Sequence, residues 1–319
     1  MESPPRLPAP PAGRLDGPPD ESLTQRLRAG RRARQNEKIL QDKEIEDKVA
    51  QQEAAARERQ ESRPFEGFLS EAGRLFEFVG RFFSQFWRRP FEWRELTAQM
   101  DEVGAKSLTL TGVVGFSIGI VLAMQSRGTL ARFGAESFLP SMLALSVIKE
   151  IGPVLTSLVL AGRLGAGMGA ELGSMKVTEQ IDALEVAALK PFRYLVVTRV
   201  LACVIMFPVM TVLTDLLALL GGFLESVFSG GMDYRVFIAT AFDTMRFVDV
   251  VVDTMKTSVF GFIVGIVSCY LGYSVRGGTR EVGRAAMQAV VVSSLLILIA
   301  DVVIVRASLL IFGDISGSS

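Results

Sequence analysis

The sequence contains no histidine and only two cysteines in 319 residues. Without histidine, the chain cannot build a Ser-His-Asp or Cys-His catalytic centre, and most zinc sites are excluded. Cys203 and Cys269 each lie within an apolar run, which indicates two buried thiols rather than a disulfide framework. A P-loop and a GxGxxG motif are also absent from the sequence. We therefore predict no enzyme activity, no metal site and no cofactor in this chain.

Charged side chains are scarce after Lys106 and frequent before it. Hydrophobic residues make up 49% of the chain, charged residues 21%, and the net charge is zero. Because neither sign is in excess, nothing in the composition indicates a nucleic-acid partner. The N-terminus lacks the basic and apolar segments of a secretory signal, so we expect no cleaved leader. The pattern predicts a polytopic membrane protein with a soluble, charged tail.

Three regions follow from the changes in composition. Residues 1–63 hold seven prolines before residue 20 and then helix formers with few apolar side chains, which predicts a disordered or charged helical cytoplasmic tail. In residues 64–106, aromatic and arginine residues alternate at helical spacing, as in an amphipathic helix that lies in the headgroup layer. A core helix of a soluble domain is the alternative. Residues 107–319 form the predicted transmembrane domain.

This last region contains five apolar stretches that are long enough to cross a bilayer as helices. They cover about residues 107–126, 138–170, 200–224, 257–275 and 285–312. Thirteen Lys and Arg residues fall on the tail side of these spans, against four on the other side, or five with Lys256 at a helix edge. The positive-inside rule then places the N-terminus in the cytoplasm and the C-terminus outside. The predicted fold is all-α and integral to the membrane.

Small residues recur at helical spacing near the end of the second apolar stretch. One ladder is Gly165, Gly169 and Gly173, and a neighbouring ladder begins at Gly162 and continues with Ala166 and Ala170. Helices that carry such ladders can approach each other closely. The ladders predict either packing within the chain or an interface between subunits.

A short amphipathic segment, Met175 to Lys190, follows these ladders and ends at Pro191. Its apolar side chains fall on one stripe, whereas its charged side chains lie off that stripe: Lys176, Glu179, Asp182 and Glu185. The segment is too short and too acidic to span a bilayer, so we predict a cytoplasmic helix. It is either a connector that packs on the membrane domain or a docking helix for a cytoplasmic motor.

Six ionisable residues lie within the apolar stretches: Lys149, Glu150, Arg163, Asp215, Asp301 and Arg306. Such groups are costly in a membrane, and they usually have a function or a partner of opposite charge. Lys149 and Glu150 point about 100° apart on a helix, so each needs its own partner or faces a cavity. For the two aspartates we expect ion pairs with Lys or Arg on neighbouring helices.

Four longer motifs make the sequence recognisable. These are ARFGAESF, LSVIKEIGPVLTSLVLAGRLGAGMGAELGSMKVTEQIDALE, RVLACVIMFPVMTVLTDLLALLGG and GYSVRGGTREVGRAAMQAVVVSS. They resemble the MlaE/YrbE permeases of bacterial ABC systems that handle lipids together with MCE-domain proteins. The resemblance covers the chain from about Phe65 to the C-terminus and leaves the first 63 residues without a counterpart.

The resemblance implies an inner-membrane permease that moves phospholipid and helps maintain outer-membrane lipid asymmetry. Such permeases are homodimers, each protomer with an interfacial helix and five spans. A cytoplasmic ATPase, which uses ATP and Mg, docks on the helix after the second span, here about residues 175–190. A periplasmic MCE-domain protein, often a hexamer, covers the dimer, and some systems add a STAS-domain protein.

The resemblance also implies a lipid cavity between the protomers. By motif position, Phe133, Lys149 and Glu150 line this cavity and Leu122 forms part of its apolar wall. Some relatives have Tyr where this chain has Phe133, so a hydroxyl contact is not expected here.

Two other functions are compatible with the residues themselves. An ion-coupled secondary transporter would use Lys149, Glu150 and Asp215 as a relay and would need no ATPase. A passive scaffold would only anchor an MCE tunnel. An intramembrane hydrolase is the weakest alternative, because histidine is absent and no acid pair has active-site spacing.

Overall fold

The computed structural model describes residues 64–87, 92–187, 190–243, 245 and 247–316, and the predicted tail lies outside them. Within these ranges the chain forms helices and turns and no β-strand. The α-helices are α1 (Pro64–Phe86), α2 (Trp93–Val103), α3 (Ala105–Arg132), α4 (Leu139–Ser146), α5 (Gly152–Leu160), α6 (Ala166–Val177), α7 (Gln180–Val186), α8 (Thr198–Leu224), α9 (Tyr234–Asp243), α10 (Phe247–Tyr273) and α11 (Thr279–Ser316).

Tighter and wider helical turns join several of these helices end to end. A 3-10 turn covers Glu136–Phe138, and π-helical turns cover Val147–Ile151, Ala161–Gly165, Phe192–Val197 and Glu225–Ser229. Helices α4, α5 and α6 therefore form one long rod, which is interrupted by the π turns Val147–Ile151 and Ala161–Gly165. Such turns in a helix are often found at functional sites.

Five helical stretches in the described part of the chain are long and apolar enough to cross a membrane. They are the first span (Trp93–Arg132), the second (Glu136–Val177), the third (Phe192–Ser229), the fourth (Val250–Tyr273) and the fifth (Thr279–Ser308). The prediction of an all-α integral membrane protein with five spans is confirmed. The fourth span begins earlier than predicted, so that Lys256 lies within it and not at its edge.

The third span is central to the bundle. The first span packs along it on one side and the fourth span on the other, while the second and fifth spans pack against the fourth. Each connection between two spans reverses the direction of the chain. Successive connections therefore lie at opposite ends of the bundle. We call the end with α7 the Gln180 end, and the end with the turn between the first two spans the Glu136 end.

Aromatic side chains attach α1 to the bundle. Phe78 contacts Phe192 edge to face at 4.9 Å between ring centroids, and Phe82 contacts Phe262 at 5.6 Å. The Arg81 guanidinium lies over the Phe192 ring at 4.5 Å. The opposite face of α1 is apolar but exposed, with Phe76, Phe83 and Trp87 uncovered. One aromatic face is thus buried in the protein, and the other is available to a surrounding lipid phase.

The core of the bundle consists of aliphatic and aromatic side chains from all five spans and α1. A smaller apolar cluster lies toward the Glu136 end, where Leu143, Ala218 and Phe237 meet. Cys203 and Cys269 are both free thiols and both buried in the main core. The prediction of two buried, reduced thiols is confirmed.

A candidate transport site within the helix bundle

A buried ammonium group joins three spans in the half of the bundle that is nearer the Glu136 end. Lys256, in the fourth span, has only 3% of its side chain exposed. Its Nζ lies 3.3 Å from Glu150 Oε2 in the second span and 3.2 Å from Asp301 Oδ1 in the fifth. We call Lys256, Glu150 and Asp301 the charged triad.

The backbone of the second span contributes a further acceptor to this lysine. Lys256 Nζ donates to the carbonyl oxygen of Lys149 at 2.6 Å. Pro153, four residues later, has no N–H, so the usual α-helical bond to that carbonyl cannot form. The π turn Val147–Ile151 is followed by Gly152 and then by this proline. The sequence Lys-Glu-Ile-Gly-Pro thus exposes one carbonyl of the rod, and the ammonium from the neighbouring span satisfies it.

The triad extends from the protein core to an open surface. The side chain of Asp301 is 15% exposed, whereas that of Glu150 is 47% exposed. The Glu150 carboxylate pairs with a buried lysine and is also open to the surface. It can therefore exchange this lysine for the charged group of a ligand. Ion pairing of Asp301 with a lysine on a neighbouring helix was predicted and is confirmed.

Asp215 differs from the triad. It is 6% exposed, and its Oδ1 has no hydrogen-bond partner in the described part of the chain. This oxygen lies so close to Gly152 that a Cβ added there would be 1.6 Å from it. The ion pair predicted for Asp215 is therefore not found among the described residues. The glycine next to Pro153 makes room for this carboxylate in the seam between the second and third spans.

The other residues predicted for the lipid cavity do not gather around the triad. Leu122 is half-buried against the small apolar cluster, and Phe133 is 80% exposed just after the first span. Phe133 follows α3 directly and lies at the Glu136 end. Lys149 is half-buried beside Glu150 in the π turn. The structure thus places Lys149 and Glu150 together and Leu122 and Phe133 elsewhere along the first span, and their role in lipid binding stays a prediction.

A cavity of about 270 Å³ opens at the Glu136 end, apart from the triad. It is lined by Arg127, Glu136, Ser137, Leu139, Ser226, Gly230, Gly231, Met232 and Val236. None of the four residues predicted for the lipid cavity belongs to this lining. The cavity was not predicted from the sequence.

The predicted docking segment is divided at its second turn. α6 continues to Val177, Glu179 adopts a left-handed conformation with φ of 59°, and α7 covers Gln180–Val186 only. Ile181 is buried in the core, whereas Val186 is 90% exposed. Lys176 pairs with Asp182 across the break at 3.1 Å.

The charged residues of this segment face outward at the Gln180 end. Glu179, Asp182 and Glu185 are exposed, and Lys176 is half-buried. One continuous helix over 175–190 was expected. The left-handed residue Glu179 ends α6 instead and turns α7 away from the rod, and Ala188 and Leu189 lie outside the described residues.

Three of the four glycines predicted for helix packing contact other spans of the same chain. A Cβ on Gly165 would lie 3.4 Å from Ser268 Oγ, one on Gly169 would lie 3.2 Å from Ala286 Cα, and one on Gly173 would lie 3.4 Å from a Val282 methyl. Gly162 has no atom within 4 Å of such a Cβ position. Of the two alternatives, the first ladder packs within the chain, and Gly162 faces open space in the isolated protomer.

Two arginines anchor the Gln180 half of the bundle. Arg163, in the second π turn of the rod, donates to the Glu102 carbonyl at 3.0 Å and to the Ser107 hydroxyl. Arg199, in the third span, donates to Glu171 Oε1 at 2.7 Å and to the Leu195 carbonyl at 2.9 Å. These contacts tie the second span to the first and third near their ends.

Lys256 is the residue of the candidate site that the sequence pattern did not identify. The signal was present, since a lysine next to a long apolar stretch is costly wherever the helix includes it. The charge-free stretch of the fourth span begins at residue 257, so apolar length alone puts Lys256 at the edge of the helix. Among the described residues, no three His, Cys, Asp or Glu side chains are grouped closely enough to hold a metal ion.

Comparisons with known proteins show the family of this chain. Residues 96–307 match the family model described as "Permease MlaE". A "Probable ABC transporter permease protein" of Rickettsia typhi is 38% identical over 230 residues, which cover 72% of this chain and 88% of the relative. The "Intermembrane phospholipid transport system permease protein MlaE" of Haemophilus influenzae is 33% identical over 210 residues, 66% of this chain and 80% of the relative.

A plant protein is also similar. "Protein TRIGALACTOSYLDIACYLGLYCEROL 1, chloroplastic" of Arabidopsis thaliana is 34% identical over 212 residues, 66% of this chain and 61% of that protein. The matched region of the family model contains the charged triad, the 270 Å³ cavity and α7. The bacterial relatives are named as permeases, that is, as transport subunits and not enzymes. The chain is a multi-pass membrane protein that belongs to the MlaE family of ABC transporter permeases.

Proposed function

We propose that this chain is the membrane subunit of an ABC transporter that moves phospholipid between the bacterial inner membrane and a periplasmic MCE-domain protein, and so helps maintain outer-membrane lipid asymmetry. The observation that carries the proposal is the match of residues 96–307, and so of all five spans, to the MlaE permease family, together with the 33% identity to a permease named for phospholipid transport. The four sequence motifs that resemble the MlaE/YrbE permeases point to the same function.

The surface chemistry of the protomer supports a lipid substrate. The fifth span exposes a band of large apolar side chains that includes Leu295, Ile299 and Val303. Charged side chains within the spans are few, and several of them are paired, as in the triad and in the Arg199 contact. A mainly apolar surface with a few fixed polar groups suits acyl chains and a headgroup better than it suits a sugar or an inorganic ion. In a homodimer, a second copy would cover part of this apolar surface.

Energy for transport would come from a separate ATPase that binds ATP and Mg. α7 supports this role because it combines a buried anchor, Ile181, with an exposed apolar side chain, Val186. Around Val186, exposed carboxylates offer contacts to a cytoplasmic partner. A helix presented in this way can enter a groove of another subunit. This assignment places the Gln180 end and the N-terminus in the cytoplasm and the Glu136 end and the C-terminus in the periplasm.

The proposal includes further partners. An MCE-domain protein, as a hexamer, would cover the Glu136 end of the dimer, and a STAS-domain protein would join the ATPase in some systems. Phospholipid would be the cargo, with Glu150 and Lys149 as its nearest charged groups.

The experiment that tests this function uses the complete complex. The chain is purified in mild detergent, and its co-purifying subunits and lipids are identified by mass spectrometry. The complex is then reconstituted, and the ATP-dependent transfer of labelled phospholipid to or from the MCE protein is measured. We expect an ATPase and an MCE protein to co-purify, and transfer to require ATP. Absence of both subunits would reject the proposal.

A pair of variants tests the docking role of α7. Val186→Asp should release the ATPase, because it places a charge in the centre of the contact. Ile238→Asp is the matched control, since Ile238 is an exposed apolar residue of α9 at the opposite end. Retention of the ATPase by Val186→Asp would show that α7 is only a connector.

The charged triad favours a second candidate, an ion-coupled secondary transporter. Intramembrane carboxylates next to a lysine are the groups that such transporters use. The same reconstituted complex separates the two functions, because transfer driven by a proton or sodium gradient without ATP would support the second one. A passive scaffold would instead show unchanged lipid transfer in Glu150→Gln.

A further inference from the structure

The 270 Å³ cavity at the Glu136 end combines a closed floor with an open mouth. Leu139 and Ser226 are buried and form its floor, whereas Glu136, Gly231 and Val236 are exposed at its mouth. The cavity is large enough to hold several waters or a small polar group.

Two opposite charges line this cavity without neutralising each other. Arg127 Nη1 donates to the Ser229 carbonyl at 2.8 Å, which fixes the guanidinium on the wall. An arginine has five N–H donors, and this is the one hydrogen bond that it makes within the described ranges. Glu136 forms no ion pair with Arg127 or with any other residue that the structure describes. The cavity therefore offers a free cationic donor and a free anionic acceptor.

Exposed aromatic side chains surround the cavity. Phe138, Phe228 and Tyr234 are 66%, 80% and 50% exposed, and each is within two residues of a lining residue. Aromatic side chains collect where a membrane protein meets the headgroup layer. Exposed aromatic side chains next to the cavity are what a site at the headgroup layer predicts.

We propose that this cavity binds the zwitterionic headgroup of an amine-bearing phospholipid, with the phosphate on Arg127 and the ammonium on Glu136. Guanidinium pairs well with phosphate oxygens. A carboxylate in the same cavity lining repels an anionic headgroup but attracts an ammonium group. The role of this lipid as cargo rests on the proposed function. The binding itself rests only on the cavity.

This site is separate from the charged triad. Glu136 and Glu150 are fourteen positions apart in the second span, or about 20 Å along a helix. A single headgroup cannot contact both. The structure therefore assigns two polar stations to the Glu136 half of the bundle, one within the spans and one at the membrane surface.

The test measures lipid selectivity of the full chain in nanodiscs made from equal amounts of phosphatidylethanolamine and phosphatidylglycerol. Tightly bound lipids are counted by native mass spectrometry after the bulk lipid is removed. Wild type should be enriched in phosphatidylethanolamine. Glu136→Gln should lower the ratio of bound phosphatidylethanolamine to phosphatidylglycerol about fivefold, the loss of one partly exposed ionic contact. Arg127→Gln should lower the binding of both lipids, because both have a phosphate.

Two more variants control for folding and position. Glu136→Lys should reverse the selectivity and enrich phosphatidylglycerol, which is a gain that misfolding cannot produce. Arg132→Gln is the matched control, because Arg132 is an exposed arginine of the same helix outside the cavity lining. It should leave the lipid ratio at the wild-type value.

Three results would overturn the proposal. The first is an unchanged lipid ratio in both Glu136 variants, and the second is an enrichment of phosphatidylglycerol by wild type. The third is a loss of the MCE protein from the purified complex of the Glu136 variants without any change in bound lipid. The last result would assign the cavity to a protein contact. If transfer of phospholipid to the MCE protein continues in these cases, only the headgroup site fails. If the wild-type complex transfers no phospholipid while the ratio responds to Glu136, only the proposed function fails.

Discussion

The two halves of the bundle accommodate buried cations in different ways. In the Glu136 half, Lys256 is held by carboxylates from two other spans and by a backbone carbonyl. In the Gln180 half, Arg199 is equally buried, but its carboxylate partner Glu171 is 57% exposed and its other acceptor is on its own helix. A cation within a membrane thus needs partners from several helices, whereas one near a span end can rely on water and headgroups.

The largest effect should come from removing the lysine of the triad. Lys256→Met leaves two carboxylates in the spans without their cation, and one of them is 15% exposed. Loss of one member of a buried ion network destabilises by about 3–5 kcal/mol. We expect a loss of this size in the free energy of unfolding, measured by titration of detergent-solubilised protein with SDS.

Lys176→Met is the control for this substitution. Lys176 pairs with Asp182 at the Gln180 end, and both side chains are more than 30% exposed. A loss in Lys256→Met no larger than in this control would show that the triad is not a stabilising network.

A second substitution should restore part of that stability. Asp301→Asn in the Lys256→Met background removes the more buried of the two uncompensated carboxylates. Because the cost of Lys256→Met arises mainly from these charges, we expect the double variant to regain about 2 kcal/mol. The four proteins of this double-mutant cycle are compared in the same SDS titration. Additive losses would mean that the two residues do not interact.

The arginine of the other half should matter less than the lysine, although its burial is the same. Arg199→Met leaves Glu171 half exposed, and it also removes an Nε that has no hydrogen-bond partner among the described residues. We therefore expect a loss of about 1 kcal/mol, near the value of one hydrogen bond. Arg199→Lys is the companion variant and should lose less. A loss as large as that of Lys256→Met would remove the contrast between the halves.

The number and type of the spans followed from the sequence because apolar length is a direct consequence of bilayer thickness. The Asp301 ion pair followed as a type of interaction for the same kind of reason, since an intramembrane carboxylate needs a cation. Its partner Lys256 did not follow, because the start of a span cannot be read from where the charges stop. Here the helix includes the charge, and the partners come from spans that are far apart in the chain.

Close packing shows the same limit. The glycine ladder of the second span is evident in the sequence, yet the closest backbone approach lies between the first and third spans. A Cβ on Gly119 would lie 1.8 Å from the Ala218 carbonyl oxygen, and one on Gly221 would lie 2.3 Å from the Phe116 carbonyl oxygen. Gly115 and Gly119 have the same four-residue spacing as the ladder. The spacing indicates which helices can pack closely, and only the tertiary arrangement decides which do.

The cavity at the Glu136 end could not be predicted, because it forms between the turn that joins the first two spans and the end of the third. Its lining residues are not periodic, and they come from three separate stretches of the chain: Arg127, residues 136–139 and residues 226–236. The sequence therefore indicates which kinds of residue form the candidate site, whereas only the fold shows which of these residues lie together.

The smallest effect is expected at the Gln180 end, where an ion pair crosses the break between α6 and α7. Lys176 and Asp182 are 3.1 Å apart with side chains 34% and 58% exposed, so water competes for both. Such pairs contribute about 0.2–1 kcal/mol, and salt weakens them. Lys176→Gln should therefore change the unfolding free energy by less than about 1 kcal/mol. The change should become smaller in 0.5 M NaCl, which corresponds to a Debye length of about 4 Å. A larger or salt-independent loss would mean that this pair holds α7 in place. Ion pairs would then stabilise both halves of the bundle to a similar extent.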